Sequence, residues 1–285
     1  MKYGMNMLLW TTEVTDADAT LLNDLKEAGF DGIEVPLFDT NVTKSTKLRP
    51  ILDDIGLERT AVTICSADSN PVSSITAKAA IDHLKRAIDS CHELGVKVLC
   101  GPFHSALGVF SDAGPTAEEL ECSQNVMRTV AEYAQQAEVT LALEYLNRFE
   151  CYLLNCAEDT AKFVDAVDHP NLRSMYDTFH AHIEEKNIID AIKNLGNRIV
   201  HVHASANDRS TPGTGAVDWE NTFDGLYNTS YDGWIVIEAF GRSMPDLIAA
   251  TKIWRSMFNG TELELAIAGL KFLRREVRAA WGLPS

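Results

Sequence analysis

Along this chain the spacing of apolar positions switches repeatedly between a period of two and one near 3.6 residues. Short runs rich in Val, Ile and Leu predict strands at residues 4–9, 32–35, 59–64, 96–100, 140–144, 173–176, 199–203 and 234–238. Helical spacing fills the gaps, most clearly over 17–28, 77–94, 117–136 and 158–167, and two more helices are predicted after the eighth strand, at 244–257 and 262–281. Alternation of this kind implies βαβ units and a parallel sheet. The segments EAGFDGIEV, DIGLERTAV and ELGVKVLCG repeat one junction, in which Gly29, Gly56 or Gly95 stands where a left-handed residue ends a helix and a strand follows. NTSYDGWIVIEAF enters the eighth strand in a similar way. Eight such units close a (β/α)8 barrel, here with an extra C-terminal helix. No Pro/Gly/Ser-rich linker divides the chain, so residues 1–285 are expected to form one domain. Neither GxGxxG after the first strand nor GxxxxGK[ST] is present, which removes the main support for a nucleotide-binding sheet.

Composition narrows the function. The 285 residues carry a formal net charge of −16, from 25 Lys+Arg against 41 Asp+Glu. Such a chain repels nucleic acid and anionic membrane, because binding either begins with cationic contacts. No stretch approaches the roughly 20 apolar residues that span a bilayer. The first residues, MKYGMNMLLWTTEV, lack the long apolar core and cleavage site of a signal peptide. Six cysteines are scattered without CxxC pairs, which reads as reduced thiols. A cytoplasmic protein is expected.

In a parallel barrel, catalytic groups gather at the C-terminal ends of the strands. Strand five, TLALE, ends in Glu144; strand six, LRSMYD, in Asp177; strand seven, RIVHVH, in His203; strand eight, GWIVIE, in Glu238. Any one of these alone also suits a polar strand end meeting solvent. Four consecutive strands ending on a potential metal ligand, each about one βα unit from the last, are harder to explain that way. Three carboxylates at one mouth repel one another unless a cation or a shared proton neutralises them. Three carboxylates and one imidazole suit Mn2+, Mg2+ or Co2+, whereas a structural zinc more often takes Cys.

A second tier of polar residues lies nearby. EYLNRFE adds Asn147, Arg148 and Glu150; DTFHAHIEE adds His180; HASANDRSTPGTG adds Arg209 in a loop rich in Pro and Gly. Arg148 and Arg209 equally suit pairing with surface acids. His182 and His201 are read as structural or exposed, with His201 directed to the helix layer. His104 suits either the mouth or a loop cap. Asn6, Glu34, Cys65, Ser66 and Phe240 are candidate pocket lining, and Trp10, Phe103, Phe110 and Phe149 are candidate apolar walls that equally suit the core.

Over most of its length, and most specifically from Leu143 to Glu238, the sequence resembles the D-tagatose 3-epimerase family of ketose 3-epimerases, which includes D-psicose (D-allulose) and L-ribulose 3-epimerases. The resemblance is carried by LEYLNRFE, DTFHAHIEE, HVHASANDRSTPGTG with Trp219 following, and IVIEAF. It implies the xylose-isomerase-like barrel superfamily, a manganese or similar ion on Glu144, Asp177, His203 and Glu238, and an acid/base pair in Glu144 and Glu238. It assigns substrate contacts to Glu150, His180 and Arg209, and implies a homodimer or homotetramer. The chain departs from the family in having Ala206 where a Glu is usual, Ala239 where a Pro is usual, and Asn6 and Leu8 where D-psicose-type members are tyrosine-rich. These departures bear on the choice of sugar. The ASANDR loop is closer to the L-ribulose branch.

Epimerising C3 of a ketose requires removal of a C–H proton beside a carbonyl, through an enediolate, with two carboxylates serving opposite faces. Free ketoses are expected, since no phosphate cradle follows strands seven and eight. Alternatives are a hydroxypyruvate isomerase or an inosose dehydratase of the same superfamily and, from another class, a non-catalytic sugar-binding barrel. An endonuclease-IV-like enzyme would demand more ligands and a basic groove. The final helix carries an apolar stripe of Leu265, Ile267, Leu270, Phe272, Leu273 and Val277, suited to the barrel bottom or to a subunit contact.

Overall fold

The computed structural model describes residues 1–283. Eight parallel strands close a barrel in sequence order: β1 (Lys2–Asn6), β2 (Gly32–Pro36), β3 (Glu58–Val62), β4 (Val98–Gly101), β5 (Thr140–Leu143), β6 (Leu172–Asp177), β7 (Ile199–Ala204) and β8 (Trp234–Ile237), which pairs with β1. Around them lie α1 (Ala19–Ala28), α2 (Val42–Ile55), α3 (Ala77–Leu94), α4 (Ala117–Gln136), α5 (Ala157–Val167), α6 (Thr178–Glu184), α7 (Ile188–Leu195), α8 (Trp219–Asn228), α9 (Pro245–Thr251) and α10 (Glu262–Ala280). The predicted barrel is the observed one. Gly29, Gly56 and Gly95 end α1, α2 and α3 with φ of 100°, 76° and 79°. No helix among the described residues is long and apolar enough to cross a membrane.

Two predicted boundaries change for local reasons. The first strand stops at Asn6, because its side chain accepts a hydrogen bond from the Leu8 backbone and turns Met7–Leu9 into a 3-10 helix. The helix predicted over 244–257 ends at Thr251, where Lys252 adopts a left-handed φ of 60°. The final helix lies in the helix layer rather than beneath the barrel. Phe272 packs on Trp219 of α8, with ring centroids 5.1 Å apart, and Gly269 faces Ile237 of β8.

Side chains alternate along each strand. One set enters the large apolar core between strands and helices, with Ile33, Leu99, Leu141, Val202 and Ile235 among its members. The other faces the barrel axis. There a small apolar cluster includes Val62, Cys100, Ala142 and Met175, with Leu8, Phe240 and Ile253 covering it. The polar residues described next belong to this inward set.

Candidate active site

Strand geometry delivers the four strand-end residues to one place. Glu144 directly follows β5, and its backbone N–H donates to Gly101 O at 3.0 Å. That closeness depends on Gly101, whose φ is 135° and where a Cβ would lie 2.1 Å from Thr63 O. Glu238 directly follows β8, its N–H donating to Ala204 O at 3.2 Å. Asp177 closes β6 and caps α6, with Oδ1 accepting from Phe179 N at 2.5 Å. His203 lies in β7 with its ring fully buried.

Nδ1 of His203 is the meeting point. It stands 3.4 Å from Glu238 Oε1, 3.7 Å from Asp177 Oδ2 and 3.9 Å from Glu144 Oε1. These separations exceed hydrogen bonding for Asp177 and Glu144, and Nδ1 is buried without a hydrogen-bond partner. An orphaned imidazole nitrogen facing three carboxylate oxygens suits a divalent cation. Ligand atoms of Glu144, Asp177 and His203 all lie within 4.8 Å of one another. The residues present fit such an ion.

Among the protein groups themselves, the permanent positive charge comes from Arg209. Its Nη1 donates to Asp177 Oδ2 at 3.2 Å, to Ser205 Oγ at 3.1 Å, and to Glu238 Oε2. Its guanidinium lies 3.7 Å from the centre of the Phe179 ring and 5.0 Å from that of Phe240. The Arg209 backbone is left-handed, φ 61°, and is pinned by Arg209 N→Ala206 O and Phe240 N→Arg209 O, both 2.9 Å. Strain at a non-glycine residue in a buried loop marks a place where the surroundings over-determine the chain. Arg209 therefore belongs to the site. Arg148 does not: it is exposed and holds Glu184 in a forked ion pair, Nη2 to Oε2 at 2.8 Å.

Burial pushes Glu144 well above the usual carboxylate range, with Glu238 and Asp177 adding repulsion and His203 opposing. Burial likewise pushes Glu238 up to about 7, against the attraction of His203 and Arg209. Burial also works to raise Asp177, but Arg209 and His203 prevail and hold it below its ordinary value. Two carboxyl groups able to carry a proton thus flank one that stays ionised.

His180 is buried one turn into α6. Its Nδ1 faces Asn147 N at 2.9 Å, a group that can only donate. Nε2 lies 3.8 Å from Glu144 Oε1 and 3.0 Å from Arg209 Nη2. Burial, joined by Arg209 and opposed by Asp177, lowers the His180 pKa to about 4, so the ring is neutral near neutral pH. Arg209, with His180 at its side, offers N–H groups to a partly negative oxygen. Glu150 is tied to the same corner by Asn147 Nδ2→Glu150 Oε1 at 2.8 Å.

The other expected residues divide between the mouth and the core. Phe240 covers Arg209 at the mouth. Cys65 is a fully buried core residue, its Sγ toward Phe103 O at 3.8 Å, and burial pushes its thiol up to about 12. Phe103 is core too, while Phe110 and Phe149 are exposed. Asn6 is fully buried beneath Glu238, with Nδ2 3.5 Å from Glu238 Oε1. His104 is buried against Ser105 Oγ at 3.0 Å, and burial lowers its pKa to about 3. His182 is exposed.

The direction expected for His201 is reversed. Residues two apart on a strand share a face, so His201 points into the barrel with His203, their ring centroids 5.2 Å apart. Both face Glu34, which sits in β2 rather than at its mouth: Nε2 of each histidine lies 2.7 Å from a Glu34 oxygen. Period-two alternation, applied to HVH and GIEV, was the signal that would have placed all three inside.

A model of the xylose isomerase-like TIM barrel family matches residues 22–276. A probable ketose 3-epimerase of Synechocystis sp. is 33% identical over 280 residues, covering 96% of this chain and 96% of its own. The ketose 3-epimerase of Arthrobacter globiformis is 32% identical, covering 98% of each. A crystal structure of D-psicose 3-epimerase with D-tagatose from Clostridium cellulolyticum H10 superposes with a TM-score of 0.89 at 29% identity, covering 97% of this chain and 99% of that one. The chain belongs to the xylose isomerase-like TIM barrel family and, within it, to the ketose 3-epimerases, a group of isomerases.

Proposed function

We propose that this chain is a metal-dependent ketose 3-epimerase of 1–285 as one domain, interconverting free ketoses at C3. Candidate pairs are D-fructose/D-psicose, D-tagatose/D-sorbose and L-ribulose/L-xylulose. One observation carries the reading. Glu144 and Glu238, buried at the ends of β5 and β8 and both pushed toward holding a proton, close on one unpartnered imidazole nitrogen. The relatives named ketose 3-epimerase support it over the isomerase and dehydratase alternatives.

Glu144, Asp177, His203 and Glu238 would hold Mn2+, with Mg2+ or Co2+ as alternatives. When bound, such an ion supplies Lewis-acid charge that favours ionisation beside the C2 carbonyl. The remaining work falls to the chain. One of the two glutamates takes the C3 proton; the C–H electron pair forms the C2–C3 double bond, and the carbonyl π pair moves onto O2. Arg209, with His180 beside it, holds that oxygen as its charge grows. The other glutamate then delivers a proton to the opposite face of C3 while the electrons return from O2. The roles exchange in the reverse direction, and no net oxidation occurs. Glu150 orients substrate hydroxyls, with Phe240, Asn6 and Cys65 left outside the proton path. A cytoplasmic homodimer or homotetramer completes the reading.

Incubating the Mn2+-loaded protein in D2O with D-fructose, D-tagatose, D-psicose and L-ribulose tests it. At least one should gain deuterium at C3 and yield its epimer. Glu144→Gln and Glu238→Gln should each lower that exchange by about 10²- to 10⁴-fold with the circular dichroism spectrum unchanged, the range expected for a lost general acid or base. Full exchange in either variant would end the two-glutamate scheme.

A further inference from the structure

We propose that Glu34 is a positioning residue: it fixes the tautomer and ring orientation of His203 from inside the barrel, so that Nδ1 presents its lone pair to the cation. This rests on the metal reading above and adds to it a residue on the opposite side of the imidazole, from a strand that supplies none of the four ligands.

Glu34 is fully buried in β2. Five polar atoms surround its two oxygens. Oε1 accepts from Asn6 Nδ2 at 2.9 Å and faces His203 Nε2 at 2.7 Å. Oε2 accepts from Thr60 Oγ1 at 3.0 Å and from Cys100 Sγ at 3.1 Å, and lies 2.7 Å from His201 Nε2 in a contact too bent for a good hydrogen bond. Asn6 Nδ2, Thr60 Oγ1 and Cys100 Sγ can only give hydrogens toward a carboxylate. A group so surrounded acts as acceptor alone, and the hydrogen between it and His203 sits on Nε2. A neutral imidazole has one N–H and one lone pair. With Nε2 committed to Glu34, the lone pair is on Nδ1, the same atom that is buried, unpartnered and turned to Glu144, Asp177 and Glu238. A ligating histidine whose second nitrogen donates to a carboxylate is held in register for its metal, and loss of that partner typically weakens metal binding 10- to 100-fold.

The same residues permit a competing reading, since Glu34, Cys100, His201 and His203 each offer a ligand atom within 4.8 Å of the others. The distances decide between them. Ligands on a tetrahedral zinc, with bonds of about 2.0–2.3 Å, stand roughly 3.3–3.8 Å apart. The 2.7 Å and 3.1 Å separations around Glu34 are those of direct hydrogen bonds.

The test is Mn2+ titration calorimetry on the full-length metal-stripped wild-type chain and on Glu34→Gln. It is paired with 15N histidine spectra of the wild-type chain loaded with Mg2+. The proposal expects one Mn2+ per wild-type chain, a Kd raised 10- to 100-fold in Glu34→Gln, and kcat recovered in that variant at saturating Mn2+. It also expects a His203 signal with the hydrogen on Nε2 and the metal shift on Nδ1, a readout that stands even if Glu34→Gln does not fold. A Kd within twofold of wild type in a folded Glu34→Gln overturns the role of Glu34 and leaves the metal reading intact. So does a His203 spectrum with the hydrogen on Nδ1. Two Mn2+ per wild-type chain, one of them lost in Glu34→Gln, overturns it in favour of a second metal site. Failure of the wild-type chain itself to bind Mn2+ overturns the metal reading and this proposal together.

Discussion

Two clusters of metal-ligand side chains share His203 and lie on either side of its ring. Toward the mouth are Glu144, Asp177 and Glu238; toward the barrel interior are Glu34, His201 and Cys100. Both are buried, and both contain the residue types that bind metals. They differ in the balance of donors and acceptors. Around Glu34 the hydrogen-bearing atoms of Asn6, Thr60, Cys100 and His203 satisfy the carboxylate. At the mouth three carboxylates share one arginine; unpartnered imidazole nitrogens occur on both sides, at His203 Nδ1 and at both ring nitrogens of His201, so the surplus of carboxylates is the difference. Residue type alone does not mark a cation site. A surplus of buried acceptors does, because an uncompensated buried charge costs several kcal/mol.

The same contrast appears in the charge states. Burial works to raise Glu34 and Glu144 alike. At Glu34 the two histidines prevail and hold the carboxyl well below its ordinary range. At Glu144 neighbouring carboxylates add to burial, and the carboxyl rises. The interior carboxyl thus favours its ionised form, and the mouth carboxyl its protonated form.

Chelation is the strongest way to break this comparison. Stripping the metal should abolish epimerisation, and Mn2+ should restore it. A ligand at a hundred times its Kd contributes about 2.7 kcal/mol, so Tm should fall by on the order of 5 °C on chelation, as read by calorimetry. A Tm and an activity indifferent to both chelator and Mn2+ would mean that the mouth needs no cation.

Thr60→Val sharpens the interior half. It removes one donor to Glu34, and hydrogen bonds to charged groups contribute about 1.5–3 kcal/mol. Denaturant unfolding should show a loss of about that size, with Mn2+ affinity little changed because the His203 contact remains. A neutral result would mean that Glu34 does not depend on its full set of donors.

Arg148→Ala is the smallest expected effect and a control on the outside of the site. The Arg148 end of the pair with Glu184 is exposed, where ion pairs contribute about 0–1 kcal/mol, and the covered Glu184 carboxylate keeps the backbone N–H of residue 148 as a donor after truncation. Unfolding midpoint and kcat/KM should both stay near wild type. A large loss of kcat/KM would move Arg148 into the substrate contacts, where its place in EYLNRFE left it as an open choice.

The sequence by itself determined the barrel, the helix-ending glycines, and the four polar residues that close β5 to β8, because period, capping and strand-end polarity are all local properties of the chain. It also pointed to His180 and Arg209, through their motifs. Only the tertiary structure decided that Arg209 enters the site while Arg148 stays outside, that Cys65 is core, and that His201 and Glu34 lie within the barrel. The contact between Glu34 and His203 joins residues 169 positions apart. It exists because closing the barrel turns β2 and β7 toward a common axis, and no window of sequence contains both sides of that bond.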